Sequence, residues 1–451
     1  MISNDRITML KKEPIPSLLL KMGLPTMIGM LVTGLYSIVD GIFVGGLGTQ
    51  QMGAISVVFP IGQILSGLGL LFGGGASSYI SRLLGAEKRK EANHVASTAL
   101  YSGLALSIIV FLFLELFMGN ILRALGATET ILPYAKEYTV IYAVGAIFTI
   151  TSTTLNNILT SEGAAKLSMI AMLLGAILNV IFDPLLIYAF NMGIQGAAVA
   201  TVLSQAVTTI VYIVYIICGK SVFRFSIFDY QLNGAILGQI FKVGIPNLVF
   251  QLFTSLAMWL TTATSQVYGD SAIASMGVVT RIMAMGTLAV FGFMKGFQPI
   301  AGYCYGAKQY ERLWTAIKVA LKYMTIFCII LSLILFIFPN QIMSLFTNND
   351  PSVLMIGSKA LRINSIMFIF FGAGTEYALL YLALGKWVGG LILSIGRQGL
   401  FFVPVILILP KFIGLDGIIY AQPIADIFTL IAIIILGLKI NNEIKTKIKL
   451  N

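Results

Sequence analysis

The chain has 451 residues, of which 58% are hydrophobic and 10% charged, and its formal charge is +11. A soluble protein of this length needs far more polar surface than a mean hydropathy of +0.93 allows, so the composition describes a polytopic membrane protein. The positive balance does not indicate nucleic-acid binding, because its distribution along the chain follows the membrane spans.

Apolar windows long enough to cross a bilayer core of about 30 Å recur at about 18–44, 54–77, 95–118, 133–157, 165–189, 195–218, 240–265, 275–300, 317–338, 354–382, 387–409 and 416–438. They are too long and continuous for barrel strands, and helices satisfy every backbone group internally, so the fold class is all-α with about twelve transmembrane helices. The leading MISNDRITMLKKEPIPSLLL is polar and broken by proline before the first span, which argues against a cleavable signal peptide. The first span holds Pro25, Tyr36 and Asp40. A charged loop after the second carries His94, the only histidine, expected to be a solvated side chain. The fourth span holds Asn156, and the fifth reads NVIFDPLLI, with Asn179, Asp183 and Pro184 in an apolar run. Thr201 lies in the sixth, and a polar loop at 219–238 follows. The seventh, with Gln251, has no carboxylate; Arg281 and Lys295 lie in the eighth, Glu376 in the tenth and Arg397 in the eleventh.

With the N-terminus placed in the cytoplasm, 21 of the 29 basic residues fall on that side. Arg123, Lys136, Lys359, Arg362 and Lys411 fall outside, and Arg281, Lys295 and Arg397 remain at membrane depth. That asymmetry is a positive-inside signature with both termini cytoplasmic. Cys218, Cys304 and Cys328 are odd in number and scattered, which suggests neither a disulfide framework nor a metal cluster. Gly219-Lys220-Ser221 lacks the first glycine of a phosphate loop, since Val214 stands there. An enzyme is not expected: a lone loop histidine with no HExxH or equivalent offers no catalytic constellation, and without an ATP motif any pumping draws on an ion gradient.

The chain repeats itself. KMGLPTM at 21–27 returns as KVGIPNL at 242–248, and the same spacing of 221 carries Gly75 onto Gly296, Gly85-Ala86 onto Gly306-Ala307 and Gly196 onto Gly417. The expected organisation is a six-helix lobe at 1–218, a cytoplasmic linker at 219–238 and a second lobe at 239–451. Six is even, so the lobes are parallel repeats related by a pseudo-two-fold axis along the membrane normal. At the same spacing Asn179 and Asp183 meet Leu400 and Pro404, and Asp40 meets Thr261, so the carboxylates belong to one half only. An isolated charge in a span costs about 2.5–3.5 kcal/mol on insertion scales, which makes such residues functional candidates. The plainer alternatives are that Asp183 caps backbone freed by Pro184, and that Asp40 is solvated near a span end.

Asn179 and Asp183 share a helix face, as do Tyr36 and Asp40. Pro184 cannot donate to the carbonyl of Val180, and Pro25 weakens the first helix so that it can bend. Two carboxylates, a carboxamide and a freed carbonyl suit a proton or a hard cation such as Na⁺.

Pro25 followed by Asp40-Gly41-x-Phe43-Val44-Gly45, Asn179-x-x-x-Asp183-Pro184 and the duplicated twelve-helix plan together resemble the multidrug and toxic compound extrusion (MATE) transporters, over nearly the whole chain. In the DinF-like branch of that family the matching first-lobe residues form the cation or proton site, and bending at the first-helix proline accompanies coupling. The resemblance therefore implicates Asp40, Asn179 and Asp183, then Thr201, in coupling to H⁺ or Na⁺, and Pro25 and Pro184 in bending. Tyr36 and Asn156 are weaker carry-overs, assigned with Gln251, Arg281, Glu376 and Arg397 to the substrate cavity. The chain departs from the NorM-like branch, whose acidic residues lie on the seventh and tenth helices. The basic residues of the second half pair with Glu376, line the cavity, or sit at helix ends with their heads in water, the last being the plain reading for Lys295. The function implied is secondary active efflux of lipophilic, cationic drug-like compounds, by a monomer of the bacterial plasma membrane that needs no cofactor and no nucleic acid. A lipid-linked oligosaccharide flippase of the same superfamily is the alternative, kept open by Arg281 and Arg397.

Overall fold

The computed structural model describes residues 2–346 and 350–450. The first half comprises α1 (Ile2–Lys12), α2 (Ile15–Gly45), α3 (Thr49–Gly85), α4 (Arg89–Ala124), α5 (Leu132–Ser161), α6 (Ala165–Pro184) and α7 (Gly193–Ile217). The second comprises α8 (Gly234–Ser265), α9 (Asp270–Gly306), α10 (Tyr310–Ile337), α11 (Pro339–Ser344), α12 (Pro351–Phe368), α13 (Phe371–Ala383), α14 (Trp387–Ile395), α15 (Phe402–Ile408), α16 (Pro410–Ile413) and α17 (Leu415–Leu450). No strand occurs among the described residues. Among the described residues eleven spans are long and apolar enough to cross a membrane, and α12 with α13, bent by 49°, supplies a twelfth. Every expected window matches one of these in order, to within a residue. The observed helices run past the apolar windows because hydrogen bonding along the backbone continues beyond the bilayer, where hydropathy carries no signal.

The two halves meet along α2 with α9 and α3 with α8. Glycine makes this contact possible at two equivalent positions: a Cβ on Gly85 would lie 2.1 Å from the carbonyl oxygen of Tyr303, and one on Gly306 would lie 2.0 Å from that of Arg82. Each half thus presses a glycine onto the other's backbone. Ser78 adds a hydroxyl donated to the carbonyl of Leu382 at 2.6 Å. At the far end of α2, Gly41 and Gly45 have nothing within 4 Å of a Cβ, so the glycine-tight packing of the halves does not extend to the end that carries Asp40.

The repeat spacing is not constant. It is 221 at Gly85 and Gly306 but 222 where α6 and α14 begin, at Ala165 and Trp387. A π-helical turn at Gly396–Leu400 inserts one more residue. Asn179 and Asp183 therefore stand opposite Phe402 and Ile406, not Leu400 and Pro404; all four of these residues are buried, as equivalent positions require. The second half fills with hydrocarbon the space that the first fills with a carboxamide and a carboxylate.

On the face shared by α1 and the linker, Glu162 follows α5 and is fully buried. It accepts hydrogen bonds from Arg6 at 3.0 Å, the Ser221 hydroxyl at 2.8 Å and the Val222 amide at 2.7 Å. Arg312 donates to the carbonyls of Leu10 at 3.0 Å and Glu13 at 2.6 Å, satisfying orphan acceptors at the end of α1. Helix α1, unrecognised in the sequence because it is too short and polar for a span, so bridges the halves. His94 is not a free solvated side chain: its Nδ1 donates to the carbonyl of Asp229 in the linker at 3.0 Å.

Burial pushes the Glu162 carboxyl up to about 7 against its hydrogen bonds from Ser221, Val222 and Arg6, from an ordinary value of 4.5. The seated α1 therefore holds this proton more tightly than the released one, so its stabilisation is full below about 4.5 and is lost as pH rises through about 7. Hydrogen exchange in α1, corrected for intrinsic rate, is expected to be faster at pH 8 than at pH 5.5, and Glu162→Gln should flatten the difference. Gly306→Ala should force the halves apart at a cost of about 1–3 kcal/mol, read as a lower Tm and a newly labelled cysteine placed beside Arg82.

Candidate functional site: two unlike cavities

Helix α2 remains continuous through Pro25 and carries Tyr36 and Asp40 on one face. Helix α6 ends at Pro184 and passes into a π-helical turn, Leu185–Ala189. The amide of Leu185 bonds the carbonyl of Phe182, and Pro184 has no amide to offer, so the carbonyls of Val180 and Ile181 lose their regular partners beside Asp183. Tyr188, in the same turn, donates its hydroxyl to the carbonyl of Phe43 at 2.6 Å, which clips α6 to the end of α2.

The Asp40 and Asp183 carboxyls lie within hydrogen-bonding reach of each other. Asp183 and Asn179 are almost wholly buried. Among the described residues no partner bonds either oxygen of Asp183, either polar atom of Asn179 or Oδ1 of Asp40. Buried polar groups are normally paired, so this concentration of orphans marks a place built for something else. Two carboxylates are acceptors only and cannot bond each other without a proton or a cation between them. The ordinary role of Asp183 as a cap for the broken helix end lacks the hydrogen bond it requires.

Three tyrosines surround the pair. Tyr36 lies near both carboxylates, Tyr142 near Asp40 and Tyr36, and Tyr138 near both carboxylates and Thr201. Tyr138 and Tyr142 escaped the sequence reading although their i, i+4 spacing in α5 was visible; their rings lie 5.5 Å apart. The adjoining cavity is lined by Tyr36, Asn156, Asn179, Thr201, Gln205 and Lys295, among others. Asn156 donates to the Tyr212 hydroxyl at 2.7 Å and accepts from the Lys295 ammonium at 2.7 Å. Lys295 comes from α9, so the second half places a cation in the first half's cavity. The expectation of a head group in water at a helix end fails, because Asn156 supplies an acceptor within reach.

The second half holds a different cavity, walled by Phe250, Phe291, Phe370, Phe371 and Met367, with Arg397 and Asp426 in its lining. Arg397 donates to Asp426 at 2.9 and 3.5 Å, Gln422 donates to the same carboxylate at 2.8 Å, and the guanidinium rests 4.3 Å from the ring centre of Phe371. Asp426 was missed in the sequence and is the partner of Arg397 in place of Glu376. Glu376 is fully buried, and among the described residues neither of its oxygens has a partner. Arg281 is exposed and does not line this cavity. Gln251 donates to Gln63 at 3.1 Å and ties α8 to α3 across the interface.

The Arg397 and Asp426 side chains are 12% and 9% exposed. Asp426→Asn should destabilise the protein by about 3–5 kcal/mol by leaving the guanidinium uncompensated, whereas Arg397→Met with Asp426→Leu should recover most of that loss. Thermal unfolding of the three proteins checks both outcomes.

Comparison with known proteins places this architecture. The family model described as MatE matches twice, at residues 25–185 and 247–408. The multidrug export protein MepA of Staphylococcus aureus is 32% identical over 429 residues, covering 94% of each chain. A solved structure described as an outward-facing multidrug resistance MATE family transporter of the MOP superfamily has a TM-score of 0.91 at 27% identity, covering 98% of both chains. A MOP superfamily transporter from Pyrococcus furiosus, described as having a binding pocket of reverse polarity that suggests a different function, has a TM-score of 0.90 at 27% identity, covering 97% of this chain and 98% of that one.

Proposed function

The chain belongs to the MatE family, and from that premise we propose that it is a multidrug exporter driven by antiport of H⁺ or Na⁺, with Asp40, Asn179 and Asp183 as the coupling site. One observation carries the reading: Asp183, Asn179 and Asp40 bring a cluster of buried polar atoms without partners together in the first half. In the alternating cycle, a cation or proton enters from outside and bridges Asp40 and Asp183, whose repulsion then vanishes. That draws α2 toward α6 at the level of the Tyr188 clip and narrows the first-half cavity, which favours release of the exported compound. Ion and compound must prefer different states, or neither drives the other. Thr201 and Tyr138 lie beside the pair and position it, and Pro25 removes one backbone bond from α2, which is the place where a straight helix bends at least cost.

Substrate recognition belongs to both cavities. Tyr36 and Asn156 offer polar contacts in the first half, and the phenylalanine walls with the Arg397–Asp426 pair offer an apolar, charge-balanced surface in the second. A lipophilic cation suits this combination, since it meets carboxylates on one side and aromatic faces on the other. A flippase of lipid-linked oligosaccharide needs free cationic groups for phosphate, and the neutralisation of Arg397 by Asp426 together with the exposure of Arg281 weighs against it. The basic ends of the helices are assigned to the cytoplasm of a bacterium, so the end of α2 that carries Asp40 faces outward, and the working unit is a monomer with its lobes at 1–218 and 239–451.

Proteoliposomes loaded with a cationic dye and placed under separate pH and Na⁺ gradients test the proposal. Export is expected under one gradient and not without any, and Asp40→Asn with Asp183→Asn should reduce it to the level of empty vesicles. Full gradient-driven transport by that double variant overturns the site assignment.

A further inference from the structure

Helices α4 and α7 both pack on α5, and on the outer flank of the first half a groove of about 900 Å³ lies between them. Its walls include Leu104, Phe148, Leu155 and Ile213, and its roof is the linker segment around Phe223, Arg224 and Phe225. At 1.5 Å per residue, Leu104 lies about 22 Å from the start of α4 at Arg89, and Phe148 about 20 Å from the end of α5 at Ser161. The groove therefore runs from the helix ends to about the middle of a hydrocarbon core roughly 30 Å thick, which is the depth of one leaflet.

The roof is fixed from below. Tyr101 donates its hydroxyl to the carbonyl of Phe225 at 2.8 Å, the Arg224 amide donates to Asn93 at 2.8 Å, and Ser221 and Val222 are held by Glu162. Phe223 and Phe225 turn inward and are buried, whereas Lys220 and Arg224 are exposed. Arg224 thus stands at the mouth of a largely apolar slot of leaflet depth, with Lys220 beside its lining residues Gly219 and Ser221, at the end of the molecule where basic residues collect. A neutral occupant leaves those cations unused, and a soluble anion leaves the slot unfilled; one molecule satisfies both when it carries a hydrocarbon chain and an anionic head group.

We propose that this groove binds an acyl chain of an anionic phospholipid from the leaflet at the basic end, with the phosphate held at Arg224 and Lys220. The site is separate from the coupling carboxylates. It bears on them mechanically, because Phe148, Thr151 and Leu155 face the groove while Thr149, Ser152 and Asn156 of the same helix face the first-half cavity. An occupied groove braces α5 from behind.

Native mass spectrometry of the full chain in detergent, with phosphatidylglycerol or phosphatidylcholine of matched chains, tests this independently of transport. Phosphatidylglycerol is expected to be retained at least about threefold more than phosphatidylcholine, since its head group keeps the net negative charge that the choline cation of phosphatidylcholine cancels. Lys220→Ala with Arg224→Ala should abolish that preference. Leu104→Trp, or Ile213→Trp from the facing helix, should reduce retention of both lipids by filling the slot. Equal retention of the two lipids by the unaltered protein, a preference that survives the double alanine variant, or undiminished binding in both tryptophan variants overturns the proposal.

Discussion

A carboxylate taken out of water must be given a proton, a cation or donors, and the first half of this protein withholds the donors. Asp183 sits at the end of α6, where a proline has already removed one amide and the π-helical turn has diverted the next. Among the described residues neither the Asn179 carboxamide nor Oδ1 of Asp40 beside it has a partner either. Asn179, Tyr138, Thr201 and the freed carbonyls only make sense around that deficiency. The second half, which has no such deficiency at Phe402 and Ile406, packs its equivalent positions with hydrocarbon and keeps Arg397 compensated by Asp426.

The asymmetry between halves is imposed on a symmetric frame. Backbone contacts at Gly85 and Gly306 relate the halves almost residue for residue, so the frame sets how the two bundles meet and leaves each free to differ in chemistry. Lys295 shows how far the difference extends: an ammonium from the second half answers Asn156 in the first, so separating the halves also withdraws a charge from the cavity. The position of the second half and the charge of the first-half cavity are thereby linked through a single side chain.

The span pattern, the duplication and the carboxylates were legible because bilayer burial leaves a strong mark on composition: twenty apolar residues, or one aspartate among them, stand out. What could not be seen depends on three-dimensional partnership. Asp426 lies in a long helix where a carboxylate near glutamine and threonine attracts no notice until Arg397 is found against it. Tyr138 and Tyr142 look like ordinary membrane aromatics until both turn toward Asp40. The slip in the repeat arises from backbone geometry, since a π-helical turn lengthens a helix by one residue without altering its hydropathy. Helix α1 was hidden for the opposite reason, its few apolar residues being spread through a polar stretch whose stability comes from Arg312 and Glu162, far away in sequence.

The reciprocal glycine contacts have a consequence for timing. Each is an approach of backbone to backbone, with no flexible side chain to stretch, and the two are related by the pseudo-symmetry axis. A rotation of one half against the other cannot loosen one while preserving the other. The closed end therefore has no arrangement in which one contact holds while the other yields: any parting of the halves breaks both together, as a latch releases.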